Sequence, residues 1–167
     1  MTTCIVLAAG FSRRLGQPKQ LVDWEGEPLV RRAARIAVDA APTIVVVAHD
    51  AVREALEGLD VTIVDNPEAG EGMASSIRRG IAACEGDVLL MLCDQPLITA
   101  QHLRALIDAK ATIAATGYRG IAGVPAFFAS SLRDELLALR GDVGARRIIE
   151  GHEHVVVPFE GAALDVD

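Results

Sequence analysis

The stretch that decides the fold is residues 3–21, TCIVLAAGFSRRLGQPKQL. It opens with Thr3–Leu7, a short β-branched and aliphatic run of the kind that forms a strand buried on both faces of a parallel sheet. The run then passes into a segment that carries Gly10 and Gly16 and has neither helical nor strand periodicity. A buried strand followed by a glycine-containing loop is typical of the ligand-binding edge of an open α/β sheet.

The next part of the chain repeats this alternation. Three further apolar runs predict strands at Thr43–Ala48, Val61–Val64 and Val88–Cys93. Helical patterns lie between them: one begins near Pro28, one covers Ala51–Leu56 after Asp50, and one carries an apolar stripe at Met73, Ile77, Ile81 and Cys84. This order predicts an open, three-layer α/β domain with right-handed crossovers.

After Ala111 the rhythm changes. Thr99 is expected to cap a helix over Ala100–Ala109, and the remaining predicted elements are strands at Ala111–Tyr118, Val124–Phe128, Val155–Phe159 and Ala163–Val166 and helices at Ser130–Leu139 and Val143–Glu150. We therefore expect one domain over residues 1–167 with a mixed, mostly parallel sheet. Residues 1–98 would bind a nucleotide and residues 99–167 would shape an acceptor pocket.

Composition restricts the partners and the compartment. The chain has 167 residues, 51% of them hydrophobic, and a net charge of −7, which argues against general nucleic-acid binding. No apolar stretch approaches the roughly 20 residues of a membrane span, and Cys4–Ala9 lacks the cationic leader of a signal peptide. Cys4, Cys84 and Cys93 show no metal-binding spacing, so we expect buried free thiols in a reducing cytoplasm. The four histidines are expected at surfaces or helix ends: His49, His102, His152 and His154.

The loop after the first strand suits an anionic ligand with a flat base. The small residues Ala8, Ala9 and Gly10 let a base lie against the backbone, and glycine permits N–H groups to turn toward an anion. Its cationic side chains, suited to polyphosphate oxygens, are Arg13, Arg14 and Lys19. The alternative is a solvated basic loop without a ligand. The glycine spacing matches neither the dinucleotide fingerprint nor a P-loop.

The loop also carries a resemblance. Its pattern Leu-Ala-Ala-Gly-x-Ser-x-Arg-Leu-Gly-x-x-Lys resembles the signature of the nucleotidyltransferases of molybdenum cofactor maturation, and the Ala-Ala form resembles their cytidylyltransferases. The resemblance implies a Rossmann-like nucleotide-diphospho-sugar transferase fold. It implies that Arg14 grips the β- and γ-phosphates while Lys19 neutralises charge near the α-phosphate. The nucleotide-binding candidates in this stretch are Leu7, Ala8, Ala9, Gly10, Ser12, Arg13, Arg14 and Lys19.

A second motif, Cys93-Asp94-Gln95-Pro96, ends a predicted strand with a carboxylate. A carboxylate at that position suits Mg²⁺, which prefers oxygen ligands and shares them with phosphates, although Asp94 could instead cap the following turn. The motif also resembles the cytidylyltransferases. In the alternating tail ALDVD, Asp165 and Asp167 would share one face of a strand, and the resemblance makes Asp167 a second metal ligand beside Asp94.

The remaining motifs are NPEAGEGMASSIRRG (66–80), GVPAFF (123–128) and LRGDVGARRII (139–149). The first is either an ordinary helix start or, by the resemblance, a base or ribose site with Asn66 and Ser76. Asp142 is expected to cap a helix that begins at Val143. The resemblance places acceptor binding in the second half of the chain, with Gln95, Pro125, Asp142 and Arg146 as candidates. One departure is Val124, where many cytidylyltransferases have histidine before proline.

Taken together, the resemblance implies that CMP moves from CTP, or another nucleoside triphosphate, to the phosphate of molybdenum-molybdopterin with release of pyrophosphate. Asp94 with Mg²⁺, Lys19 and Arg14 would be the catalytic groups, and the target molybdenum hydroxylase would be a further partner. One alternative is another nucleotide or another phosphorylated acceptor, such as a phosphosugar or phospholactate. A different class of protein, a non-catalytic carrier of the cofactor, is the other alternative.

Overall fold

The computed structural model of the chain describes residues 1–10 and 16–166. The predicted roles of Ser12, Arg13, Arg14 and Asp167 therefore fall on residues outside those described. In the described ranges the strands are β1 (Thr2–Ala8), β2 (Asp23–Trp24), β3 (Glu27–Pro28), β4 (Thr43–Val47), β5 (Thr62–Asp65), β6 (Asp87–Leu92), β7 (Ile113–Tyr118), β8 (Ile121–Phe128) and β9 (Val155–Pro158).

Helices connect most of these strands. The α-helices are α1 (Leu29–Ala40), α2 (Asp50–Glu54), α3 (Met73–Ala82), α4 (Ala100–Ile107), α5 (Arg133–Leu137) and α6 (Arg146–Glu150). Short 3₁₀ helices form at Lys19–Leu21, Ala69–Glu71, Ser130–Leu132 and Glu160–Ala163. As expected, the Thr99 hydroxyl caps α4 by accepting a hydrogen bond from the His102 N–H.

Seven strands form one sheet in the order β5-β4-β1-β6-β8-β7-β9. Strands β5, β4, β1 and β6 run parallel, β8 runs antiparallel to both its neighbours, and β9 pairs in parallel with β7. The prediction of a mixed, mostly parallel sheet is confirmed. The small antiparallel pair β2–β3 was not predicted, because strands of two residues leave no periodic signal.

Side chains alternate along β1 and divide the core into two layers. Ile5 and Leu7 pack on the sheet face covered by α3, α5 and α6, while Cys4, Val6 and Ala8 pack on the face covered by α1 and α4. The domain is therefore a three-layer α/β fold, as expected for apolar strands covered by helices on both faces.

The connections place a crevice between β1 and β6. From β1 the chain proceeds through α1, β4, α2 and β5 on one side, and then returns through α3 to β6 on the other side of β1. Ligands bind at the carboxyl ends of the strands that flank such a reversal. The residues that come after β1 and β6 thus meet where a ligand is expected.

Several expectations about the second half were wrong. Ala163–Val166 is not a strand: Ala162 is buried in the core within a 3₁₀ helix, and Val166 instead donates its N–H to the Asp94 carbonyl (2.9 Å). The helix expected from Val143 begins only at Arg146, because Asp142 does not cap it; the Asp142 carboxylate lies near the N–H of Met73 in α3. The first part of the helix expected over Ser130–Leu139 is 3₁₀.

The buried polar residues add one more correction. His102 lies in the first turn of α4, at a helix end as expected, but it is not at the surface: it is buried, stacks on Phe159 (centroids 4.6 Å apart) and shares a 2.8 Å hydrogen bond with the Thr116 hydroxyl. The three cysteines are free thiols; Cys4 and Cys93 are buried, whereas Cys84 is only half-buried.

In the part of the chain that the structure describes, the helices are too short or too polar to cross a lipid bilayer.

Candidate active site

A cleft of about 410 Å³ opens at the carboxyl ends of β1 and β6. Seven candidate residues from the sequence line it together: Leu7, Ala9, Gly10, Lys19, Ser76, Asp94 and Asp142. Ala8 is fully buried on the opposite face of β1, so its side chain does not reach the cleft. The described lining residues that sequence reasoning missed are Gln20, Ala69, Gly70, Glu71, Gly72, Met73, Leu92 and Cys93.

Lys19 and Asp94 meet across the cleft, although 75 residues separate them in sequence. The Lys19 Nζ lies 3.1 Å from Asp94 Oδ2, and the two side chains are 27% and 15% exposed. Lys19 begins a 3₁₀ helix after Pro18, and Asp94 lies two residues after Leu92, the last residue of β6. The prediction that these two residues face one cleft is confirmed.

The second oxygen of Asp94 has a distinct environment. Asp94 Oδ1 is buried and has no hydrogen-bond partner among the described residues. A buried carboxylate oxygen without a donor is costly unless a ligand or ion pairs with it. The described residues contain no group of three or more histidine, cysteine, aspartate or glutamate side chains that could hold a metal ion. A hard cation bound at Asp94 would therefore need further oxygen ligands from phosphate, from water or from Asp167, which lies outside the described residues.

Gln20 fixes the base of the loop. It is 4% exposed, and its Nε2 donates a 2.9 Å hydrogen bond to the carbonyl of Gly10. This bond joins the end of β1 to the 3₁₀ helix that carries Lys19. Gln20 Oε1 is buried without a partner among the described residues. A single polar residue beside a lysine has no periodicity, so sequence reasoning had no signal for it.

Asn66 lies behind the cleft wall. It is 1% exposed, and its Nδ2 donates 2.9 Å hydrogen bonds to the hydroxyls of Ser75 and Ser76, while its Oδ1 accepts from the Glu68 N–H at 3.0 Å. Ser76 lines the cleft, and Asn66 orients it from the interior. A direct nucleotide contact by Asn66 or Ser76 stays a prediction.

The start of α3 is built from both halves of the chain. Gly72 has φ = +123°, and a Cβ there would lie 2.6 Å from the Gly141 carbonyl oxygen, so only glycine allows this approach. The Ala74 N–H donates to Gly141 O at 3.2 Å, and the Met73 N–H lies 3.5 Å from Asp142 Oδ1. Asp142 thus places a negative charge at the N-terminus of α3, where the helix dipole favours it.

The acceptor candidates are not gathered in one place. Asp142 lines the cleft, whereas Gln95 is buried and donates to the carbonyls of Val124 (3.2 Å) and Ala162 (3.1 Å). Pro125 is buried after a cis peptide bond. Arg146 is exposed and pairs with Glu150 at 2.9 Å. The acceptor roles of all four residues, Asp142 included, stay predictions.

Cys93 lies beside Asp94 in the cleft wall. Burial raises the pKa of its thiol to about 12, so the sulfur is protonated at neutral pH. A thiol in that state is a poor nucleophile, and a covalent intermediate on Cys93 is not expected. The described residues of the cleft thus offer charge and hydrogen bonds to a ligand.

The fold and the cleft define a three-layer α/β protein of the nucleotidyltransferase type. Residues 4–155 match the family model described as the MobA-like NTP transferase domain, so the chain belongs to that family. A probable molybdenum cofactor guanylyltransferase of Bacillus cytotoxicus is 32% identical over 106 residues, which cover 61% of this chain and 53% of that relative. The chain thus spans about half the length of that relative. The purine catabolism protein PucB of Bacillus subtilis is 26% identical over 162 residues, covering 87% of this chain and 79% of PucB.

A solved structure agrees over nearly the whole chain. Rv0371c from Mycobacterium tuberculosis H37Rv superposes with a TM-score of 0.84 and 32% identity, covering 99% of this chain and 92% of that chain. A complex of the same mycobacterial protein with manganese superposes with a TM-score of 0.77 and 28% identity, covering 95% and 88% of the two chains. These likenesses support the family membership and the fold.

Proposed function

We propose that the chain is a nucleotidyltransferase, which moves a nucleoside monophosphate from a nucleoside triphosphate to a phosphorylated acceptor and releases pyrophosphate. The observation that carries this proposal is the pairing of Lys19 with Asp94 (3.1 Å) at the crevice between β1 and β6. A cation and a carboxylate at that edge are the groups that a metal-bound triphosphate requires.

The donor we propose is CTP. Ala8-Ala9 at the end of β1 has the form found in the cytidylyltransferases that the loop resembles, whereas the guanylyl relatives usually carry two glycines. The acceptor we propose is molybdenum-molybdopterin, because relatives of this chain are named as molybdenum cofactor guanylyltransferases. A molybdenum hydroxylase would then receive the product. We further propose a cytoplasmic location, since Cys4, Cys84 and Cys93 are free thiols, as expected in a reducing compartment.

The reaction requires positioning and charge neutralisation. An oxygen of the acceptor phosphate attacks the α-phosphorus in line, the new P–O bond forms, and the bond from the α-phosphorus to the β-bridging oxygen breaks. Lys19 would leave Asp94 to stabilise the negative charge that develops on the α-phosphate. The acceptor needs no general base, because its phosphate is already ionised. Arg14 is proposed to hold the leaving pyrophosphate.

Asp94 fits a divalent cation. Its Oδ1 is buried and has no hydrogen-bond partner among the residues that the structure describes. Carboxylate oxygens are the ligands that Mg²⁺ prefers. Mg²⁺ held there, with Asp167 as a proposed second ligand, would supply positive charge to the phosphates.

A second candidate function is transfer to a different phosphorylated acceptor. It is favoured by Val124, which stands where the cytidylyltransferases usually have histidine. Purified protein should be titrated with each of four nucleoside triphosphates in Mg²⁺ while its melting temperature is followed, because only a bound ligand raises it. Pyrophosphate release is then measured with the stabilising nucleotide and with molybdenum-molybdopterin or other phosphorylated acceptors.

Asp94→Asn should lower turnover at least about 100-fold, equivalent to about 2.7 kcal/mol, without lowering the melting temperature. Asp134→Asn removes the same charge from an exposed position on α5 and should have normal turnover. Near-normal turnover of Asp94→Asn would contradict the proposed site. Nucleotide binding without pyrophosphate release in the presence of any acceptor would favour a cofactor carrier.

A further inference from the structure

One residue of the cleft wall, Glu71, carries a negative charge that would oppose the binding of a triphosphate. The described lining residues include three acids, Glu71, Asp94 and Asp142, and one cation, Lys19. Asp94 is paired with Lys19, and Asp142 lies at the N-terminus of α3. Glu71 would repel an anionic ligand unless another residue neutralises it.

Arg78, on α3, provides that neutralisation. Its Nη2 donates to both carboxylate oxygens of Glu71, at 2.9 and 3.0 Å, and its Nη1 donates to the Leu139 carbonyl at 2.6 Å. The hydrogen bond from Arg78 lowers the pKa of Glu71, which keeps the carboxylate ionised and paired. One guanidinium thus joins the 3₁₀ turn Ala69–Glu71 to the second half of the chain.

The bond to Leu139 also holds the segment that contacts the start of α3. Two residues after Leu139, Gly141 accepts the Ala74 N–H at 3.2 Å, and Asp142 lies against the first turn of α3. Arg78 therefore anchors the segment that fixes the α3 N-terminus, and the same side chain holds Glu71. Its side chain is 20% exposed, compared with 45% for the neighbouring Arg79, whose nearest carboxylate oxygen, on Glu68, is 4.0 Å away.

We propose that Arg78 is a positioning residue of the nucleotide site, which neutralises Glu71 and holds the cleft wall in the form that accepts a triphosphate. An exposed ion pair contributes little to stability, but a guanidinium that donates from one nitrogen to both oxygens of a carboxylate and from another to a backbone carbonyl holds its two partners in one geometry. The inference rests on the proposed function, since it takes a nucleoside triphosphate as the ligand.

The test compares Arg78→Met with Arg79→Met. Both remove one positive charge from adjacent positions of α3, so a general loss of charge affects them equally. The dissociation constant of CTP with Mg²⁺ is measured by calorimetry, together with KM and kcat. Arg78→Met should weaken binding and raise KM about tenfold or more while kcat stays within about threefold, and Arg79→Met should match the parent protein.

Variants of Glu71 show whether Arg78 acts by neutralising the Glu71 carboxylate or only by supporting the fold. If the unpaired carboxylate causes the loss, the double variant Glu71→Gln/Arg78→Met should recover most of the affinity. Glu71→Gln alone keeps the guanidinium and its Leu139 bond, so it should bind CTP more tightly, with a steeper dependence on salt. This single variant decides the matter if Arg78→Met does not fold.

Three outcomes would overturn the inference: equal affinity of the Arg78 and Arg79 variants, no recovery in the double variant, or weaker binding by Glu71→Gln alone. These results are distinct from failure of the proposed function. If the parent protein binds none of the four nucleoside triphosphates, the proposed function fails and this inference fails with it. If the parent protein binds and turns over but Arg78→Met behaves like Arg79→Met, only the inference fails.

Discussion

Replacing Lys19 with methionine should tighten the binding of a divalent cation in the absence of nucleotide, although the same change should abolish most of the turnover. The Lys19 ammonium lies 3.1 Å from Asp94 Oδ2, so it occupies one side of the carboxylate to which we assign the cation. A free metal ion must compete with it. A nucleotide removes this competition, because the phosphates offer Lys19 another partner.

The size of the effect depends on the exposure of the pair. At 3.1 Å and an effective dielectric constant of about 20, the gross attraction between two unit charges is about 5 kcal/mol. The side chains are 27% and 15% exposed, so solvent and the cost of desolvation remove most of that attraction. A net contribution of about 1 kcal/mol is typical, and its removal corresponds to roughly fivefold tighter metal binding.

Mn²⁺ is a suitable probe, because its binding can be followed directly by electron paramagnetic resonance without nucleotide. Lys110→Met is the matched control, since it changes the net charge equally at an exposed position. Turnover with CTP and acceptor should fall at least about 100-fold in Lys19→Met. Equal or weaker Mn²⁺ binding by Lys19→Met, or equally tightened binding by Lys110→Met, would refute the reasoning.

Two further predictions concern stability. A Cβ at Gly80 would lie 2.6 Å from Ile5 Cγ2 in the core, so Gly80→Ala should lower the free energy of unfolding, measured by urea denaturation, by about 1–3 kcal/mol. Gly70→Ala is the control, because a Cβ at Gly70 would meet open space and should not lower stability. An unchanged urea midpoint for Gly80→Ala would contradict this packing. Burial lowers the pKa of His102, so the unfolded chain binds more protons and stability should decline as pH falls below about 6.5. His102→Gln should flatten that dependence and the exposed His154→Gln should not; an equal slope in both variants would show that another group is responsible.

Local patterns were sufficient for the long strands in the first half of the fold. The apolar runs that became β1, β4 and β6 are buried on both faces of the sheet, and such runs are short and easy to detect. Lys19 and Asp94 could be placed in one cleft because both come after strands whose carboxyl ends meet at a reversal of strand order. That inference requires only the order of strands and the position of each residue after its strand.

Contacts between distant segments could not be predicted in the same way. Asp142 has the local signature of a helix cap, but the α-helix at which it lies begins at Met73, 69 residues earlier. Leu164 and Val166 alternate with acids as a strand would, but the neighbouring small residues turn into a 3₁₀ helix and bury Ala162. Local patterns indicate which side chain needs a partner, and the packing of the sheet decides which partner it finds.

The charge of the chain gives these contacts a common role. A protein with a net charge of −7 repels a triphosphate unless the carboxylates at the binding site are paired with positive groups. Each carboxylate among the described cleft residues has such a partner: Arg78 for Glu71, the N-terminus of α3 for Asp142, and Lys19 for Asp94. The pair at Asp94 differs from the others, because the Oδ1 of Asp94 is still without a described partner. Under the proposed function, Asp94 Oδ1 would therefore be the oxygen that holds a cation bound with the phosphates, and Lys19 would turn from Asp94 toward the transferred phosphate.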